Sequence, residues 1–336
     1  MGWFRRRPPA GNNPADGASP RESRFRRYSP ETAAQIQRDQ EALERGDLPE
    51  GALTRIRRTT AGELPWMSTL SVPGLALAEQ LRAEPVVQVA GSAYYHAATD
   101  QGNRVYLDSN LDAANLVRAY YQAKDLAMGR LVQEAALAGA HLVLDARHEF
   151  SREETVVTFS IIGTAVRLPG VDRPKTPLVS PLGGDDLLKL LARGYLPVGF
   201  ALGYHWHCMP IGFGTRQSLR SFWNQEATQL TERFMHTRSN AMQRMAQDAR
   251  RQHRVDGLVG VSVSSRLEET ELRFVGGYGM GGGVTIEGMY YPYGPEGSLE
   301  VPAVNAEFFA TGASIARVAA GPASRYQVSH YLTAEV

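Results

Sequence analysis

The stretch GYHWHC, residues 203–208, concentrates side chains that could do chemistry: two histidines and the only cysteine of the chain. Imidazole and thiolate are the ligand types of zinc and copper sites. In a strand, alternate residues share a face, so His205 and His207 point one way and Cys208 the other. The His-x-His pair therefore suits a transition metal (zinc, copper or nickel), and Cys208 joins it only where the strand ends or bulges. A second stretch, GSAYYH (91–96), places His96 at nearly the same point of an earlier strand. Two units, or several chains, could thus each contribute a ligand. The competing reading is an aromatic strand end whose imidazoles are hydrogen-bonded among Tyr94, Tyr95, Tyr204 and Trp206. The remaining histidines are scattered, and no carboxylate stands at a set spacing from this pair.

Other chemistry finds less support. The glycine spacings of GGYGMGGGV (276–284) are those of phosphate loops, but such loops need a strand before and a helix after. Strand-like sequence flanks this one on both sides, so it reads as the tip of a glycine-rich hairpin or a contact loop. No G-x-S-x-G elbow occurs. His207 adjoins Cys208 but points to the opposite face, so a Cys/His nucleophile is not expected. The sequence predicts no enzyme.

The bulk properties set the frame. A length of 336 residues suggests about two domains, and 43% hydrophobic residues are enough for a buried core. A formal net charge of +1 argues against a strongly basic, specific nucleic-acid binder. One cysteine excludes an internal disulfide and favours a reducing compartment, so the expected location is cytoplasmic. No apolar run approaches the roughly 20 residues that span a bilayer. The basic N-terminus lacks the apolar core of a secretory signal, and Arg6 stands where a myristoylation site wants Ser or Thr.

Residues 1–30 form a basic arm too poor in aliphatics to fold alone. It reads as a solvated tail or as a weak tether to an anionic membrane or a protein partner. Residues 31–84 form a helical preamble and linker. Ser29, Pro30 and Glu31 supply an N-cap, a first-turn proline and a dipole-matched acid. Residues 63–81 read as a connector broken by Pro65 and Pro73.

Beyond this point the sequence repeats. A first unit (85–167) carries a strand, a helix over about residues 112–138, and two more strands. A linker with a short helix follows (168–194). A second unit (195–317) runs in the same order, with its helix at about 218–251 and a glycine-rich hairpin insertion near 276–297. Residues 318–336 form a tail. Leu116 pairs with Leu230, Tyr120 with Phe234, Ala127 with Ala241, Arg130 with Arg244, Leu142-Val143 with Leu258-Val259, and Gly163 with Gly312. Both helices show apolar residues at spacings of three and four, hence one buried stripe each.

This arrangement resembles the YbjQ-like family, described as heavy-metal-binding. The resemblance rests on a strand ending in Gly and aromatics, a long helix with A-M-x-R (127–130 and 241–244), the entries GA-x-x-V and DGLVGV, and a final F-x-x-x-G strand. It implies an α+β fold of two tandem repeats, each a small antiparallel sheet packed on one long helix, dodecin-like. It further implies an oligomeric ring or barrel, typically a pentamer, and transfers no enzymatic motif. The residues point to assembly independently. A unit of this size buries only a modest core, and Tyr121, Leu126, Met128, Phe222, Trp223, Met235 and Met242 add apolar surface beyond the stripes. Arg130 and Arg244 read as solvated charge or as partners of acids between subunits. The expectation is a homo-oligomeric heavy-metal-binding or assembly scaffold, with metal at His205, His207, Cys208 and His96. The alternative is a metal-free structural or adaptor oligomer tethered through its arm.

Overall fold

The computed structural model describes residues 29–97, 104–105, 110–153, 156–219, 226–252, 254–275, 282–318, 327–328 and 330–331. Residues 1–28 of the basic arm and residues 276–281 of the glycine-rich stretch lie outside the described residues, as do Phe222 and Trp223.

The preamble is helical. α1 (Pro30–Glu44) is capped by Ser29, whose hydroxyl accepts from Thr32 N at 3.2 Å. α2 (Glu50–Thr60) drives Ile56 into the main core. α3 (Val72–Gln80) lies where a connector is expected. Pro73 and Gly74 do not break it because they fall in its first turn, where a missing N–H costs nothing.

The first half then runs β1 (Glu84–His96), β2 (Arg104–Val105), α4 (Asn110–Leu137), β3 (Leu142–Glu153), β4 (Val156–Arg167) and β5 (Leu178–Val179). The second half runs α5 (Gly184–Ala192), β6 (Tyr195–Pro210), α6 (Phe213–Leu219), α7 (Thr228–Gln252), β7 (Gly257–Val275), β8 (Gly283–Ile286), β9 (Met289–Pro292) and β10 (Ser298–Arg317). The fold is mixed α+β with several sheets. One sheet has the order β1-β4-β3-β5 and the other β2-β7-β10-β6, while β8 and β9 form a separate hairpin. The single helix expected from about residue 218 is replaced by the short α6 and, from Thr228, α7. The turn between β8 and β9 is made by Glu287 and Gly288, both at positive φ. That is the backbone a tight two-residue hairpin demands.

In each half the long helix lies tightly on the first strand. A Cβ on Gly91 would collide with the Ala127 carbonyl, and one on Gly203 with the Ala241 carbonyl. Glycine is required at these two points of close approach. The apolar stripe of α4 buries Leu116, Tyr120, Ala123, Ala127, Leu131 and Ala135, and that of α7 buries Ala241, Met245 and Ala249.

Helix side chains also reach the strand backbone in matched pairs. Glu134 accepts from Ala90 N at 2.8 Å, and Asp248 from Leu202 N at 2.9 Å. Arg130 donates to Ser92 O, and Arg244 to Tyr204 O at 2.9 Å. One nitrogen of each arginine is thus bound to a strand carbonyl of its own chain. The register shifts one sequence match as well. Leu142 lies opposite Val166 and Gly257 opposite Ile315, so Val143, not Leu142, takes the place of Leu258.

Candidate functional site

β6 is a two-faced strand between the long helices. Phe200, Leu202 and Tyr204 enter the core built on α4, and Trp206 packs against it. The alternate residues Ala201 and Met209 join the core under α7. His205 and His207 fall on this α7 side, as the strand period requires. His205 Nε2 lies 3.2 Å from Asn240 Nδ2, which is also 3.3 Å from His236 Nδ1. An amide nitrogen only donates, so both ring nitrogens accept. Burial, then the Arg244 guanidinium, then His207 and His236, push the His205 pKa from 6.5 down to about 4. His207 is lowered by burial, with Arg233 and His236 adding to it.

Cys208 lies on the other face, opposite Asn305 of β10, and burial pushes its thiol up to about 12. Such a thiol is neither a nucleophile nor a ready ligand at neutral pH. His96 ends β1 in the other sheet, opposite Val156. The structure therefore brings His205 and His207 to one face, adds His236, which in the sequence is one of the scattered histidines, and brings neither Cys208 nor His96 to them. Among the described residues no group of three or more His, Cys, Asp or Glu side chains could hold a metal ion. The heavy-metal label is corrected accordingly.

The two halves meet across α4 and β6. The rings of Tyr120 and Tyr204 lie 3.9 Å apart. Lys124 Nζ lies 2.7 Å from Asp248 Oδ1, both side chains nearly fully buried. Between the sheets, a cavity of about 390 Å³ is lined by Tyr120, Phe150, Arg152, Glu307 and Phe309, among others. Arg152 and Glu307 pair in it at 2.9 Å, tying β3 to β10. Burial raises the Glu307 carboxyl, against the pull of Arg152 and Arg266. These polar groups are spent on joining the halves.

No family model matches the chain, and no solved structure does. The encapsulin nanocompartment protein Rv1762c of Mycobacterium tuberculosis is 33% identical to it over 215 residues, which are 61% of this chain and 78% of the relative. The chain belongs to the family of that nanocompartment protein. The resemblance to the YbjQ-like family is overturned by this match, because it rested on a pattern of elements and not on sustained identity.

In this member of the nanocompartment protein's family the sheet edges are treated unequally. On β1, Gln88 O accepts from Arg55 at 2.6 Å, while Ala90 N and Ser92 O are taken by Glu134 and Arg130. On β6, Phe200 O accepts from Gln252 at 2.7 Å, while Leu202 N and Tyr204 O are taken by Asp248 and Arg244. Helix side chains thus satisfy groups that an edge strand leaves open. β3 takes β5 at Leu142 and Val143. Along β7 the outer side is paired only at Arg273 and Phe274, so residues 257–272 carry no neighbouring strand there among the described residues. Val261 and Leu267 on this strand are exposed. Among the described residues no helix is long and apolar enough to cross a membrane.

Proposed function

We propose that this chain is a structural subunit of a homo-oligomeric assembly, a component of a protein nanocompartment, with no catalytic step of its own. The observation that carries the reading is the open edge of β7. A long strand edge with exposed apolar side chains is an aggregation hazard for a monomer and an asset for a subunit. The name of the Mycobacterium tuberculosis relative supports the same reading. The two halves are read as copies of one unit, since their helix-to-strand contacts match pair by pair. A cytoplasmic location, suggested by the single cysteine, is part of this reading.

Light scattering coupled to size exclusion tests it, with electron microscopy of the same fractions. The expected result is a closed particle of many subunits. A monomer at micromolar concentration would overturn the reading.

A further inference from the structure

The junction between the halves is a template for a contact that is unmade elsewhere among the described residues. Residues 177–182, PLVSPL, run along the start of β3. Leu178 N donates to His141 O at 3.1 Å, Ser180 N to Val143 O at 2.8 Å, Ala146 N to Ser180 O at 3.0 Å and Asp145 N to Leu182 O at 3.0 Å. Leu178 and Val179 are only 3% and 5% exposed in this position. α5 follows at once, then β6.

Residues 65–70, PWMSTL, precede α3 and β1 in the same order and without a gap. Pro65 matches Pro177, Ser68 matches Ser180, Leu70 matches Leu182, and Pro85 of β1 matches Pro197 of β6. The local turn recurs as well: Leu70 N donates to Ser68 Oγ at 3.0 Å, as Leu182 N does to Ser180 Oγ at 3.0 Å. Trp66 and Met67 therefore stand where Leu178 and Val179 stand. Yet they are 52% and 53% exposed.

Among the described residues the receiving edge lacks its guest too. β3 and β7 each break register at a residue of positive φ, Asp145 at 51° and Gly260 at 61°. His141 N donates to Val166 O just as Asp256 N does to Ile315 O. Val143 thus corresponds to Leu258, and Ala146 to Val261. Val143 and Ala146 are buried, partly under β5, whereas Val261 is 42% exposed. Residues 257–265 of β7, GLVGVSVSS, carry no charge. The guarding charges Arg266, Glu268, Glu269, Glu271 and Arg273 all come later in the strand. An edge defended along only part of its length is open to pairing along the rest.

We propose that residues 65–68 of one copy add, as a short parallel strand, to the start of the β7 edge of a second copy. This rests on the assembly reading and deepens it. Trp66 then lies beside Gly257 and Met67 beside Leu258, as Leu178 lies beside Leu142 and Val179 beside Val143. The occupant is a second copy because the contact continues an interface the chain already makes once internally. The strand and the edge lie on different surfaces of the subunit, so the contact is head to tail and closes into a ring or runs as a filament.

Co-expression of a Met67→Cys chain with a Leu258→Cys chain tests the pairing. Paired parallel strands hold their Cα atoms about 5 Å apart, within disulfide range. Mild oxidation is expected to give a cross-linked dimer on a non-reducing gel when both variants are present, and none with either alone. The parent chain, which keeps Cys208, sets the background. Tyr290→Cys in place of Leu258→Cys is the negative control, because Tyr290 is exposed on the β8–β9 hairpin. An equal cross-link with Tyr290→Cys overturns the pairing. Light scattering on the same samples separates the two ideas: an oligomer without the cross-link overturns the pairing and spares the assembly reading, whereas a monomer overturns both.

Discussion

Lys124 Nζ and Asp248 Oδ1 meet at 2.7 Å in the interior, joining the long helix of the first half to that of the second. Asp248 is also the carboxylate that takes Leu202 N at 2.9 Å and Gln252 Nε2 at 3.1 Å. Its counterpart Glu134 takes its cation from the preamble instead, from Arg55 at 2.6 Å. Each helix carboxylate is thus tied to its own strand and to a cation from an earlier part of the chain.

Removing one partner of a buried pair strands the other charge away from water. Lys124→Met is expected to destabilise by about 3 kcal/mol in urea unfolding. Lys124→Met with Asp248→Asn removes the stranded charge while keeping an acceptor for Leu202 N. The double variant is expected to recover part of the loss. A double-variant loss equal to the sum of the losses of Lys124→Met and Asp248→Asn measured alone would show that the two residues are not coupled.

Much of this architecture was legible in the sequence, and what was not had physical reasons. The stripes of α4 and α7, the Ser29 cap and the opposed faces of His207 and Cys208 follow from local periodicity, which a sequence displays directly. Lys124 and Asp248 are 124 positions apart, and nothing local marks them as partners. Arg130 and Arg244 occupy visibly matched positions, but their acceptors are backbone carbonyls, which carry no sequence signature. Asn240, which fixes the imidazoles of His205 and His236, is an ordinary polar residue of an amphipathic helix until the strand is laid against it. The match of residues 65–70 with 177–182 was hidden because Pro73 and Gly74 made α3 look like a linker beside the leucine-rich α5. The family resemblance failed for a related reason. Any helix packed closely on a glycine-bearing strand shows that alternation of Ala, Gly and aromatics, so it reports packing geometry and not descent.

The glycines at the helix–strand crossings give a prediction with an internal control. Gly91→Ala and Gly203→Ala each place a methyl against a helix carbonyl that cannot move without unseating the stripe behind it. Each is expected to cost about 3 kcal/mol or more in thermal or urea unfolding. Gly129 lies on the outer side of α4, where an added methyl would meet nothing within 4 Å. Gly129→Ala is expected to stabilise by about 1 kcal/mol through helix propensity alone. Destabilisation at Gly129 matching that at Gly91 would show that the helix tolerates no change and that the crossing has no special role.

The histidines of β6 predict how stability depends on pH. Asn240 donates to His205, so a proton on the accepting nitrogen costs a hydrogen bond as well as desolvation. The folded pKa of His205, about 4, lies below the ordinary 6.5. Between those values the unfolded chain takes up a proton that the folded chain refuses. Stability should therefore fall as the pH drops from about 6.5 towards about 4 and level off below that. His207 and His148, both lowered mainly by burial, act in the same direction. Glu307 acts in the opposite one: its raised carboxyl makes the folded chain the better proton acceptor, so its contribution grows as the pH falls. The His205 share is isolated by comparing the native chain with His205→Gln in urea titrations across that range. The native chain is expected to lose more stability than the variant on acidification. Parallel curves would mean that His205 titrates alike in the folded and unfolded chains, and that the Asn240 bridge does not hold it neutral.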